Sequence, residues 1–195
     1  MLFRSRDAVR LTAAISGDLT GAVDCGTVYR LQVGGAIKAP VTAAGPNREG
    51  VGAIGVIVAQ RVDNDGSNTY GAIKASTGDI DFVQIGPPAT PGDLEGPVHA
   101  ETGHITGLLV IGDVIIADST GIRARNGIDS IDAGSVISAI VANDGATTLG
   151  PALKHLHCSE LLGDVKADYI APCDGCSTTE NAIEVSGPWN GTLTV

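Results

Sequence analysis

The sequence predicts an all-β chain, with two internally repeated, hairpin-centred units forming a compact barrel or sandwich. Three observations carry that expectation. Short runs of Val, Ile, Leu and Thr alternate with 27 glycines and 9 prolines, the punctuation of strands and turns rather than of long helices. Hydrophobic residues make up 43% of the chain but aromatic residues only 3%, so a core has to be aliphatic. Three sequence blocks also recur in the same order, which points to an internal duplication.

In chain order, residues 1–25 form an N-terminal arm and entry strand. Val9, Leu11, Ala13 and Ile15 fall at alternate positions on one face, the period of a half-buried strand. Residues 26–75 are the first β repeat and residues 112–154 the second. GTVYRLQVGGAIKAP from Gly26 matches GDVIIADSTGIRARN from Gly112, IGVIVA (54–59) matches ISAIVA (137–142), and NDGSNTYGAIK (64–74) matches NDGATTLGPALK (143–154). Asp-Gly accepts the positive φ angles of tight turns, so a hairpin is expected at Asn64-Asp65-Gly66 and at Asn143-Asp144-Gly145. Each preceding segment is expected to add a short strand and a turn, at Gly35 or Gly121.

Between the repeats, residues 76–111 hold a strand at Ile80–Ile85 and a Pro- and Gly-rich loop, GPPATPGDLEGP (86–97). That loop is expected at the surface. Residues 155–195 form an irregular C-terminal tail that ends in a last strand near Gly191–Val195.

The net charge of −10, from 12 basic and 22 acidic residues, argues against nucleic acid as a partner, because such a surface repels phosphate backbones. No segment approaches the run of about 18 apolar residues that a membrane span needs. The start of the chain lacks the uninterrupted apolar stretch of a signal peptide. Four cysteines are too few for a disulfide scaffold of this length.

The chemical candidates are few. His155, His157 and Cys158, followed by the pair Cys173 and Cys176, offer soft ligands at spacings that a structural zinc ion tolerates. A strand would put His155 and His157 on one side and Cys158 on the other, so a shared site needs a bend. With four such ligands the shell is full, which makes any zinc structural; the alternatives are a disulfide or redox pair, though no helix that would lower a thiol pKa is evident, and the bland reading of a buried cysteine and a polar turn. Asp63 to Asn68 resembles a calcium loop, but the second copy has Ala142 where the first has Asp63, and Lys74 stands where the closing carboxylate belongs. His99, Glu101 and His104 cluster in sequence without a nucleophile or third ligand. No nucleophile elbow, phosphate loop or zinc-protease helix motif is present, and no catalytic residue or cofactor is expected. Trp189 is read either as a cover over one end of the sheet or as an exposed anchor for a partner.

GDVIIADSTGIRAR (112–125) followed by GSVISAIVANDG (134–145) resembles small, Gly-, Ala- and Val-rich bacteriophage capsid cement (decoration) proteins. The likeness covers the second repeat and, more faintly, the first; the cysteine-bearing tail departs from it. The resemblance implies a non-enzymatic virion protein, assembled in the host cytoplasm and seated on the outer capsid surface. Its partners would be the major capsid protein and copies of itself, commonly as a trimer, cementing neighbouring subunits. Arg4, Arg6 and Arg10 of the arm, Trp189 and the 86–97 loop are the expected contact elements, and loss of residues 1–10 is expected to spare the fold. A tail or fibre domain shares this composition, and long stacked repeats would favour it. A metal-dependent β enzyme using the tail cluster is the third reading.

Overall fold

The computed structural model describes residues 3–45, 52–64, 71–116, 121–142, 153–167, 170 and 183–195, without the side chains of residues 3–9. The described chain holds strands and no helix: β1 (Phe3–Ile15), β2 (Val23–Ile37), β3 (Pro40–Ala43), β4 (Ile54–Val62), β5 (Ala72–Ala75), β6 (Ile80–Ile85), β7 (Val98–Ala100), β8 (His104–Val110), β9 (Ile122–Ala124), β10 (Gly127–Val136), β11 (Ile140–Ala142), β12 (Leu153–Leu161), β13 (Val165–Ala167), β14 (Ile183–Val185) and β15 (Leu193–Thr194).

Every strand pairing among the described residues is parallel, and apart from β1–β2 and β2–β3 each strand pairs with the strand one coil away rather than with its neighbour in sequence. The chain therefore winds as a β-solenoid. β1, β2, β4, β6, β8, β10, β12 and β14 stack as one ladder, and β3, β5, β7, β9, β11, β13 and β15 stack as another. β2 is long enough to serve both: Val23–Cys25 pair with β3 and Val28–Ile37 with β4. The coils β4–β5, β6–β7, β8–β9, β10–β11 and β12–β13 are built alike, and the ends are partial.

The core follows from this winding. Equivalent positions of successive coils lie about 4.8 Å apart, so like residues form columns. One column runs Val28, Ile54, Ile80, Ile105, Ile128, Leu153. A second runs Val23, Val41, Ile73, Val98, Ile122, Ile140, Val165, and beside it lie Cys25, Ala43, Ala75, Ala100, Ala124, Ala142 and Ala167. A third lines a corner: Leu19, Ile37, Val62, Leu94, Val114, Val136, Leu161. All of these are buried. Short branched side chains repeat comfortably at the rung interval, and that is why so little aromatic surface is needed.

At the turns, a recurring triplet closes the gap between ladders. Gly-Asp-aliphatic occurs at 17–19, 78–80, 92–94, 112–114 and 163–165. In each, an Asp side-chain oxygen accepts a hydrogen bond from the backbone N–H of the equivalent residue one coil later. The donors to Asp18, Asp79, Asp93, Asp113 and Asp164 are Ala36, His104, Asp113, Ser135 and Thr192, at 2.9, 2.8, 2.9, 2.7 and 2.9 Å. An amide at a corner, where strand pairing lapses, would otherwise be left unsatisfied. The glycine lets the coils approach: a Cβ on Gly112 would lie 2.3 Å from Asp93 Oδ1 and 2.8 Å from the Gly92 carbonyl oxygen.

The expected barrel or two-unit sandwich is overturned, because one continuous parallel sheet leaves no second sheet to pack against. The expected hairpins fail with it. Asp65, Gly66 and residues 143–145 lie outside the described residues, but the strands flanking them do not pair: β4 pairs with β2 and β6, β5 with β3 and β7, and β11 with β9 and β13. The blocks aligned in sequence also occupy different walls. Val28 stands in the β2 ladder but Val114 in the corner column, and buried Ile54 aligns with exposed Ile137. Gly35 lies within β2, whereas Gly121, just before β9, has a positive φ of 52°. The entry strand and the strand at 80–85 stand where expected, while the 86–97 loop is only partly at the surface because Leu94 and Val98 beyond it enter the core.

Replacing Asp113 with Ala is expected to cost about 1–3 kcal/mol by stranding the Ser135 amide. Asn, which keeps the acceptor, should restore at least half; equal urea midpoints for wild type and Asp113→Ala would show the bond to be dispensable. Lys38, 2.7 Å from Asp18, and the Ala36 amide hold the Asp18 carboxyl below its ordinary range. A depressed folded-state pKa contributes stability above the unfolded value and loses it as pH falls. The stability gap between wild type and Asp18→Asn should therefore shrink on acidification; a constant gap from neutral to acid pH would refute that coupling.

Candidate functional site

β12 carries three of the metal candidates, and its alternation separates them. Cys158 is fully buried in the core, Leu156 points inward beside it, and His155 and His157 face outward. Their rings lie 6.4 Å apart, and His157 Nδ1 is 3.1 Å from Asp132 Oδ1 on the preceding coil. Without a bend in β12, Cys158 cannot share a metal ion with either imidazole. Cys173 and Cys176 lie outside the described residues. Among the described residues no group of three His, Cys, Asp or Glu side chains is placed to hold a metal ion.

The two described cysteines share one environment. Burial, followed by the nearby charge of Asp24, pushes the Cys25 thiol up to about 11, and burial raises Cys158 as well. A thiol that resists ionisation is a poor nucleophile and ligand.

β1 pairs along β2, so Arg4, Arg6 and Arg10 belong to a strand rather than a free arm. The Arg10 guanidinium sits 4.7 Å from the centre of the Tyr29 ring, a contact worth about 0.5–1 kcal/mol at an exposed site. β1 pairs on one side only, leaving its other edge open among the described residues. Trp189 continues the corner column, in register above Leu161. It is 43% exposed, and its Nε1–H donates to the Gly191 carbonyl oxygen at 3.0 Å. It therefore covers the last inner rung while exposing much of its ring. On the neighbouring outward positions Ile115, Ile137 and Leu162 are also exposed.

The histidine cluster divides. His104 Nε2 lies 3.1 Å from Asp129 Oδ1, an atom that Lys154 Nζ approaches at 2.8 Å. His99 and Glu101 lie on another wall, at the short strands. There His99, Glu101, Arg123 and Arg125 line an open depression of about 350 Å³, floored by Ala100 and Ala124. β7 and β9 bring them together: His99 stacks in register with Arg123, and the Arg125 amide bonds to the Ala100 carbonyl oxygen. Lys74, in register with His99, forms an ion pair with Glu101 at 2.6 Å. Asp63, of the supposed calcium loop, is bound by the guanidinium of Arg61, and residues 65–68 of that loop lie outside the described residues.

Sequence reasoning singled out His99 and Glu101 but missed Arg123 and Arg125. The signal that finds them is the coil period, since the outward position of β7 and the residue just past that strand recur at β9. No protein-family model, curated protein or solved structure matches the chain.

Treating native protein with iodoacetamide at mildly alkaline pH should leave Cys25 and Cys158 unlabelled, and denaturant should expose both. Peptide mass spectrometry that finds either labelled at the rate of a free thiol would contradict their burial.

Proposed function

We propose that the chain is a non-catalytic structural protein of a viral particle that binds the outer capsid surface and cements neighbouring subunits of the shell. The observation that carries this reading is the open edge of β1. That edge, on which no described strand other than β2 pairs with β1, offers a template on which a strand of a shell subunit can add. Main-chain pairing of that kind needs no conserved pocket and suits a protein whose work is mechanical. The resemblance of residues 112–145 to capsid cement proteins agrees with it, as does the rigidity of a column in which each coil bonds to the next. Self-association as a trimer would multiply weak contacts across a symmetric seam.

The stacked coils favour a second reading, a tail or fibre domain. Eight described strands stack in the longer ladder, an arrangement either reading can use, and the resemblance of residues 112–145 to cement proteins favours the capsid surface. Immunogold labelling of virions separates the two: gold on heads supports the first reading, gold on tails the second.

Thr12 and Ala14 are exposed on β1. Placing lysines at both blunts a sheet edge, and surface changes of this kind alter stability by no more than about 0.5 kcal/mol. Co-sedimentation with shells assembled from the cognate major capsid protein should show at least a tenfold loss of occupancy for Thr12→Lys/Ala14→Lys. Unchanged occupancy with unchanged stability would remove β1 as the docking edge. Failure of the wild-type chain to sediment with shells would remove the proposed function.

A further inference from the structure

We propose that the depression between β7 and β9 is a binding site for an oxyanion, a carboxylate or phosphate held by the guanidinium groups of Arg123 and Arg125. This proposal does not depend on the capsid reading.

The winding of the chain concentrates cations on the short-strand wall. Outward positions in register from β3 to β13 are Thr42, Lys74, His99, Arg123, Val141 and Lys166, and Arg125 adjoins them two residues after Arg123. This wall therefore carries four of the 12 basic residues of a chain with 22 acidic ones. Glu101, the carboxylate in the depression, is engaged by Lys74 at 2.6 Å. Arg123 stands on β9 and Arg125 in the bend that follows it, and both line the depression. Their planar forks match the oxygens of a carboxylate or phosphate.

The surroundings suit an anion as well. Arg125 is exposed and forms no ion pair with another described residue. Arg123 is half-buried, so its charge is less screened than that of a surface arginine. His99, one rung away, adds a ring nitrogen that can donate a hydrogen bond. Ala100 and Ala124 also line it, with their side chains turned into the core. The opening of about 350 Å³ accommodates one small oxyanion or a single acidic side chain with its backbone.

The test is titration of the full chain with inorganic phosphate and, separately, with a hexaglutamate peptide, followed by NMR of the arginine Nε–Hε signals. Saturable shifts at Arg123 and Arg125 in the millimolar range or tighter are expected. Arg123→Gln and Arg125→Gln should each weaken binding at least tenfold, whereas Arg30→Gln, on a different wall, should leave it unchanged. Glu101→Gln should strengthen binding by removing the local negative charge. Arg125 is exposed, so its substitution remains informative if Arg123→Gln perturbs the fold. A hexaglutamate affinity well above that of phosphate assigns the site to an acidic peptide segment; equal affinities assign it to a free anion. Absence of a saturable shift with both probes overturns the proposal, and so does equal weakening by Arg30→Gln, which would mean bulk charge alone.

Discussion

Everything in this molecule depends on coils stacking in register. A parallel strand bonds to the strands above and below it, so each coil completes the hydrogen bonding of its neighbours and none is satisfied alone. The aliphatic columns follow from that register, since a position buried in one coil is buried in the next. The corner carboxylates extend the same rule to the turns, where strand pairing lapses. Asp93 and Asp113 show the chain of dependence clearly: Asp113 donates its amide to Asp93 and accepts the amide of Ser135 in turn.

This changes the meaning of the acidic composition. A net charge of −10 invites a search for a partner, yet five aspartates hold backbone amides of the following coil. Part of the acid excess is therefore internal scaffolding. Against that background, the cationic wall formed by Lys74, Arg123, Arg125 and Lys166 runs counter to the sign of the chain as a whole. The core thiols fit the same division: Cys25 and Cys158 are packed as small apolar side chains, and the imidazoles of β12 lie on the opposite side.

The all-β class was legible because glycine, proline and β-branched residues act locally. The strands at 8–15 and 80–85 were legible for the same reason. Strand direction was not, because an Asp-Gly pair marks a turn without saying whether the chain returns beside itself or climbs to the next level. The true period was hidden as well. It recurs roughly every 25 residues, a length typical of solenoid units, but each coil keeps only isolated aliphatic positions and differs in turn length. Aligning Val28 with Val114 looked sound because each lies two residues after a glycine, though they occupy different columns. The Gly-Asp-aliphatic triplet would have given the register. At the site, His99 and Glu101 could be seen together, but joining them to Arg123 and Arg125 required that register. The opposite orientations of His157 and Cys158 needed only the period of a strand.

The ladder architecture also governs how the molecule loses structure. In the column, interactions run between adjacent coils, so its stability behaves as a sum of coil terms and nearest-neighbour interfaces. An interior coil such as β6–β7 has a neighbour on both sides, whereas β14 and β15 each pair with one described strand, and Leu193 on β15 and Trp189 between the two remain partly in water. Opening is therefore expected to start at described coils with a single neighbour and to spread inward like a zipper, with the slowest amide exchange at coils paired on both sides. A subunit that grips another by its end coil then gains more than contact area: the partner supplies the missing neighbour and closes the zipper from that side.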